Sequence, residues 1–299
     1  MLMEQTTLNM ANIQSINDCI RQMLNYEREW KGKFPDNTEF TNNEEVIKRT
    51  FAPCPCPTCP HEFSQMDIYH RLILIDSLYS TNVNQMRTFG LEEMTNAIWD
   101  LCNNGNGNHS DAFLAQSLHY LITLQQQNVT PLIKAFNDEY GYYEKIITNN
   151  NVKQIILAKA KAISLLSKYF YFVALMQKAD DYGFPIYDSI VCGLIRPVEK
   201  YIGLSPLSIN LDNMQNFILA VKRIVDALES ADPNLWNPQN SGKLKFELLD
   251  YFLWHIGKAG EKTYNSLLSK TEYMSFYPNK VNLPQRIVEW ENMYNKIKL

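Results

Sequence analysis

The residues most ready for chemistry lie in the string Pro53-Cys54-Pro55-Cys56-Pro57-Thr58-Cys59-Pro60-His61. By residue type, Cys54, Cys56, Cys59 and His61 make a Cys₃His zinc set. Structural zinc sites usually draw paired ligands from two separate turns. Here all four sit in one run, and each proline fixes φ at about −65° and favours an extended path. The string therefore reads either as a metal knot or as a rigid exposed arm with reduced thiols, and no metal is assigned to it. The spacing is too tight for an iron–sulfur cluster. Cys19, Cys102 and Cys192 are scattered and read as core residues.

A second stretch stands out by charge. Lys145 to Lys178 contains six lysines and no acidic residue, in a chain whose net charge is −4. On one continuous helix Lys153, Lys161 and Lys168 fall within about 80° of one another. Such a cluster can meet phosphates. The plainer alternative is that these lysines solvate the edge of a buried helix. Other groups offer less. His70, His109, His119 and His255 share no metal spacing, and His119 reads as a helix residue. Asp180 and Asp181 are adjacent on a loop and do not form a dyad. The chain has no Gly-rich phosphate loop, Gly-x-Ser-x-Gly elbow or His-Glu-x-x-His, which argues against kinases, nucleotide-dependent dehydrogenases, α/β hydrolases and zincins.

The elements that must position these groups are helical almost throughout, because apolar residues recur at three- and four-residue spacing. Residues 11–30 form a first amphipathic helix with Ile13, Ile16, Ile20, Met23 and Leu24 on one face. Residues 31–65 are polar and proline-containing, a long loop or arm. A helix from about Asp67 turns Leu72, Ile75 and Leu78 inward. Ser80, Thr81 and Asn82 offer N-caps for another, ending near Leu101 at Asn-Asn-Gly-Asn-Gly-Asn. Helices follow at 111–126 and after Pro131. The most apolar segment, 152–176, forms the buried centre of the fold and breaks at Gly183-Phe184-Pro185. Further helices occupy about 187–201, 211–229, 243–257 and 284–297. Trp99, Trp236 and Trp254 read as core anchors.

Four strings carry a family resemblance. Ser164-Leu165-Leu166-Ser167-Lys168-Tyr169-Phe170-Tyr171-Phe172 is followed by Phe184-Pro185-Ile186-Tyr187-Asp188-Ser189-Ile190-Val191. Upstream lies Arg71-Leu72-Ile73-Leu74-Ile75-Asp76-Ser77-Leu78-Tyr79-Ser80-Thr81-Asn82, and downstream Asp250-Tyr251-Phe252-Leu253-Trp254-His255-Ile256-Gly257-Lys258. In this order they resemble the helix-hairpin-helix DNA glycosylases, in particular bacterial proteins related to the 8-oxoguanine DNA glycosylases. The resemblance spans about residues 66–260. It implies an all-α, compact multi-helix domain of helix-hairpin-helix glycosylase type over 66–299, with an N-terminal helix and Pro/Cys-rich arm over 1–65. It also implies a nucleophile, Lys168, that attacks the sugar C1′ of a nucleotide whose damaged base is flipped out. Asp188, at the start of the next helix, would stabilise the developing cationic sugar. A lysine nucleophile needs a lowered pKa, which the apolar run after Lys168 can supply by desolvation. Lys153 and Lys161 would hold the DNA backbone. Lys168 has an alternative as a surface lysine, and Asp188 as a simple helix cap. Tyr169, Phe170, Tyr171 and Phe172 either stack on the base or pack the core. One departure is plain: Ala162 to Lys168 has no glycine, whereas such hairpins use glycines to let backbone N–H groups approach a phosphate.

Composition bounds the rest. The 299 residues are 45% hydrophobic, with 28 Lys plus Arg against 32 Asp plus Glu. Long-range disorder and a globally basic coat protein are excluded. The first twenty residues lack the layout of a signal peptide, and no apolar run approaches the roughly 20 residues of a bilayer span. The expected protein is cytoplasmic, with reduced thiols, DNA as partner, no membrane contact and no cofactor. It would be a base-excision glycosylase or glycosylase/lyase. The alternative is a catalytically silent helical protein that binds a nucleic acid or a protein.

Overall fold

The computed structural model describes residues 7–33, 46–52, 62–79, 90–123, 125, 129–149, 152–178, 180–260 and 283–299. The Cys54–His61 string lies outside the described residues. The chain is mostly helical. Its helices are α1 (Met10–Lys33), α2 (Gln65–Tyr79), α3 (Leu91–Leu101), α4 (Asp111–Ile122), α5 (Thr130–Asn137), α6 (Ile163–Gln177), α7 (Ser189–Tyr201), α8 (Met214–Ala231), α9 (Lys245–Gly260) and α10 (Leu283–Lys298). Residues 46–51 are also helical, and Pro238–Ser241 makes a single turn. Among the described residues no helix is long and apolar enough to cross a membrane. The chain divides into two units. One comprises Met1–Lys33, Tyr187–Leu211 and Leu219–Leu299; the other comprises Phe34–Ile186 and Asp212–Ile218. The boundary expected near residue 65 falls inside the second unit.

In the first unit, α9 packs on α7 and α10, and α1 lies against α9. The expected face of α1 is the buried one: Ile13, Ile16, Ile20 and Met23 are wholly inaccessible. Asn17 is buried among them, and both ends of its amide are satisfied. Its Nδ2 donates to the Leu228 carbonyl at 3.0 Å, and its Oδ1 accepts from Trp236 Nε1 at 3.0 Å. A similar repair occurs on α7. Pro197 lies inside this helix and has no N–H to give the carbonyl four residues earlier. That carbonyl, on Gly193, accepts instead from Lys298 Nζ at 3.2 Å. Trp236 is fully buried as expected, but Trp254 is about a third exposed and is no core anchor. Cys19 is buried and Cys192 only partly so.

The close approach of α9 to its neighbours rests on two glycines. A Cβ on Gly257 would stand 2.2 Å from Ile190 Cγ2 of α7, and one on Gly260 would stand 2.2 Å from the Tyr294 ring of α10. Nearby, His255 lies among Tyr251, Trp254 and Trp290, with ring centroids 4.3, 5.2 and 5.1 Å away. Its Nδ1 is sealed from solvent and has no hydrogen-bond partner among the described residues.

In the second unit, α6 is the centre. Every residue from Leu165 to Ala174 is buried, and α2, α4 and α5 pack around the helix. Tyr169, Phe170, Tyr171 and Phe172 are core residues. Phe170 meets Phe136 edge-on at 4.7 Å, and Phe172 stacks on Phe51 at 5.7 Å.

The first half of the expected 152–176 helix is not helical. Glu139–Asn149 (β1) and Val152–Lys161 (β2) form an antiparallel hairpin, with Asn149 paired to Val152 and an irregularity between Glu139 and Tyr142. The residue types explain it. Tyr142, Tyr143, Ile146, Ile147 and Thr148 in β1 and Val152, Ile155 and Ile156 in β2 are aromatic or β-branched, types that favour strands, and Ile146 pairs with Ile155 in the register. The proposed one-face cluster of Lys153, Lys161 and Lys168 is therefore dissolved. Lys153 and Lys161 sit near opposite ends of one strand, and Lys168 lies on a separate helix.

Two outcomes follow. Gly257→Ala forces Ile190 or α9 to shift, and should lower stability by about 1–3 kcal/mol in urea unfolding. His255 gives a pH dependence. Burial pushes its imidazole down from 6.5 to about 4. The native state thus keeps it neutral in a range where the unfolded chain binds a proton. Its contribution to stability is full above pH 6.5 and is lost as pH falls toward 4. Unfolding free energies measured across that window should drop by on the order of 2–3 kcal/mol more in the parent than in His255→Phe.

Candidate functional site

Among the described residues of the second unit, a polar constellation is built from three helices and the 46–51 stretch. Ser110 caps α4 by accepting from the Phe113 N–H at 3.3 Å, so Asp111 enters as the first helical residue. A carboxylate there is favoured by the helix dipole. Arg71 of α2 meets it: Nη1 lies 2.9 and 3.1 Å from the two carboxylate oxygens. The same nitrogen donates to the Tyr169 hydroxyl of α6 at 3.4 Å, and Nε donates to the Thr50 carbonyl at 2.9 Å. The guanidinium also lies 4.3 Å from the Phe51 ring centroid and 5.2 Å from that of Phe63. Arg71, Asp111 and Tyr169 are all buried.

The electrostatics follow from that burial. Desolvation pushes the Asp111 carboxyl above its ordinary range, against the pull of Arg71. It pushes the Tyr169 phenol well up, so the hydroxyl stays neutral. The Cys102 thiol, buried nearby, is likewise raised by burial and then by the Asp111 charge, and stays protonated. Arg71 Nε and Nη1 and both Asp111 oxygens are engaged within the constellation, which holds charge in place.

What it holds is the helix that carries Lys168. That lysine, one residue before Tyr169, is 7% exposed, and its Nζ donates to the Ser164 hydroxyl one turn earlier at 2.9 Å. The surface alternative for Lys168 is thus overturned. Asp188 is the N-cap of α7, partly buried, with its carboxylate accepting from the Ile190 N–H at 2.8 Å. Lys168 belongs to the second unit and Asp188 to the first. Lys161 is exposed at the end of β2, where it pairs with Glu139, and Lys153 pairs with Thr148 near the turn. Ala162 to Lys168, the stretch expected to form the hairpin, is a one-residue link and the first turns of α6, entered from a strand.

His119 and Asp180, which offer no dyad as separate residues in the sequence, meet in the fold. His119 Nδ1 lies 2.7 Å from Asp180 Oδ2, and Asp180 Oδ1 accepts from the Tyr182 and Gly183 N–H groups at 2.8 Å each. The local signal was an aspartate two and three residues before a glycine-containing turn. Its histidine partner, 61 residues away, had none. Among the described residues no group of three or more His, Cys, Asp or Glu is arranged to hold a metal ion.

Breaking the buried pair from one side leaves an uncompensated charge. Arg71→Met should cost about 3–5 kcal/mol, while Arg71→Met combined with Asp111→Leu should recover much of that loss. A double-mutant cycle by urea unfolding reads both. Compared with known proteins, the chain matches no family model, no curated protein and no solved structure.

Proposed function

We propose that this chain is a DNA glycosylase-like protein that acts on a damaged base flipped from duplex DNA. The observation that carries the reading is the position of Asp188. The resemblance to the helix-hairpin-helix glycosylases implies a carboxylate at the start of the helix after the lysine-bearing one, and Asp188 caps α7, which follows α6. Lys168 adds support, since a nucleophilic amine benefits from low water access and a neutral hydrogen-bond partner, here Ser164. In the proposed step the unprotonated Lys168 amine attacks C1′ as the C1′–N bond to the base breaks. The bonding electrons leave with the base, which takes up a proton. Asp188 stabilises the positive charge that develops on the sugar. Loss of the amine proton and opening of the sugar ring then give a Schiff base.

A second reading is favoured by α6 itself. Ala162 to Lys168 presents no glycine-bearing loop to a phosphate, and Lys168 is packed inside its unit. On that reading the chain is a catalytically silent helical protein that binds a nucleic acid or a protein.

The assay is purified protein against duplexes that each carry one damaged base, 8-oxoguanine included. Borohydride traps a Schiff base, and alkali reveals abasic sites. The expected result is trapping that disappears in Lys168→Gln, and base release slowed roughly 10²-fold or more in Asp188→Asn. Asparagine caps helices as well as aspartate does, so this variant removes the charge and keeps the cap. Alkali cleavage without trapping would retain the class and remove Lys168 as nucleophile. Silence across the panel from folded protein would leave the second reading.

A further inference from the structure

We infer that the first unit binds a small organic anion, a carboxylate or phosphate with a short apolar body, in a recess between α1 and the segment 234–241. This inference does not depend on the glycosylase reading. The recess has a volume of about 280 Å³. That is the low end for small-molecule sites and fits a ligand of modest size.

Its α1 wall is Arg21, Leu24, Asn25 and Arg28, which fall on one face at spacings of three and four residues. The facing wall includes Leu235 and Asn240. Leu24 and Leu235 are almost wholly buried and give the recess an apolar floor. Among the described residues both charged groups that line the recess are arginines, and none is a carboxylate. The two arginines differ in what they have left to offer. Arg21 is engaged by Asp18 at 3.2 Å and by Asp232. Arg28 donates from Nη2 to the Asn240 carbonyl at 2.7 Å, and among the described residues it has no carboxylate partner. A guanidinium has five N–H donors in a fixed fork that matches a carboxylate or phosphate. The Asn240 contact fixes the orientation of that fork, which reduces the entropy lost when an anion binds. Asn25, exposed one turn before Arg28, supplies an amide for a second polar group. Charge, floor and volume therefore agree on one ligand chemistry: an anionic head on Arg28 and an apolar body on the two leucines.

The test is titration of the full chain, followed by amide and side-chain NMR shifts. Benzoate and phenyl phosphate separate the two head groups. Benzyl alcohol lacks the charge, and inorganic phosphate lacks the body. The inference expects saturable shifts around Arg28 and Asn240 with benzoate or phenyl phosphate, at lower concentration than with either control. It expects Arg28→Gln to weaken binding by about tenfold or more, and Arg28→Lys to restore part of the affinity. Asn25→Trp, at an exposed helix position, should fill the recess and abolish the shifts while the protein stays folded. Three results would overturn the inference: no saturation with either anion, equal binding of benzyl alcohol, or unchanged affinity in Arg28→Gln.

Discussion

Arg71 carries a full positive charge into the interior of the second unit, and Asp111 makes that tolerable. An isolated ion at such a position costs several kcal/mol in lost hydration, and a partner repays it only with good geometry and further hydrogen bonds. Both conditions are met. The carboxylate faces one guanidinium nitrogen with both oxygens, and Thr50 and Tyr169 take further contacts. The arrangement therefore fixes more than two residues. It sets α2, α4, α6 and the 46–51 stretch relative to one another, because a shift of any of them leaves a buried polar group unpaired. Successive helical residues point about 100° apart. With Tyr169 committed to Arg71, Lys168 is turned to one side, where Ser164 lies one turn back to receive it.

The first unit meets the same constraint with neutral, charged and backbone groups together. Asn17 is wholly buried at the centre of an otherwise apolar helix face, and it joins a carbonyl beyond α1 to the indole of Trp236. Glu199 is 1% exposed and is matched by Arg223 at 2.7 Å, which also donates to the Ser205 carbonyl. Burial raises the Glu199 carboxyl, and the Arg223 charge pulls it back. Pro197 strips a hydrogen bond from its own helix, and Lys298 supplies the replacement. In each case a polar group that would be costly alone specifies a neighbour. These contacts select one packing among the many that apolar faces alone would allow.

How much of this was legible in the sequence follows from the range of each interaction. The inward face of α1 was readable because periodicity is local, and all five named residues are buried. Pro131 in the first turn of α5, the break at Gly183 to Pro185 and the cap at Asp188 were readable because each is decided within a few residues. The hairpin was missed because total apolarity outweighed residue type. Ile155, Ile156 and Leu157 suit a buried helix as well as a strand, and the deciding signal was the β-branched and aromatic run on the other side of Asn149-Asn150-Asn151. The ion pair was invisible for another reason. Arg71 begins the Arg71–Asn82 segment, yet its partner lies 40 residues away, and no spacing rule connects them. His119 and Asp180 were set aside for the same reason.

The loss of the continuous helix also changes what the lysines can do together. Eight residues separate Lys153 from Lys161. That is about 12 Å along a helix but about 26 Å along a strand. The Debye length near physiological salt is about 8 Å, so charges at strand spacing scarcely reinforce one another through solvent. On the helix they would have formed one focused positive spot able to grip a single phosphate cluster. Along β2 the two backbone positions are separate points on a line, and no single focused spot forms from them.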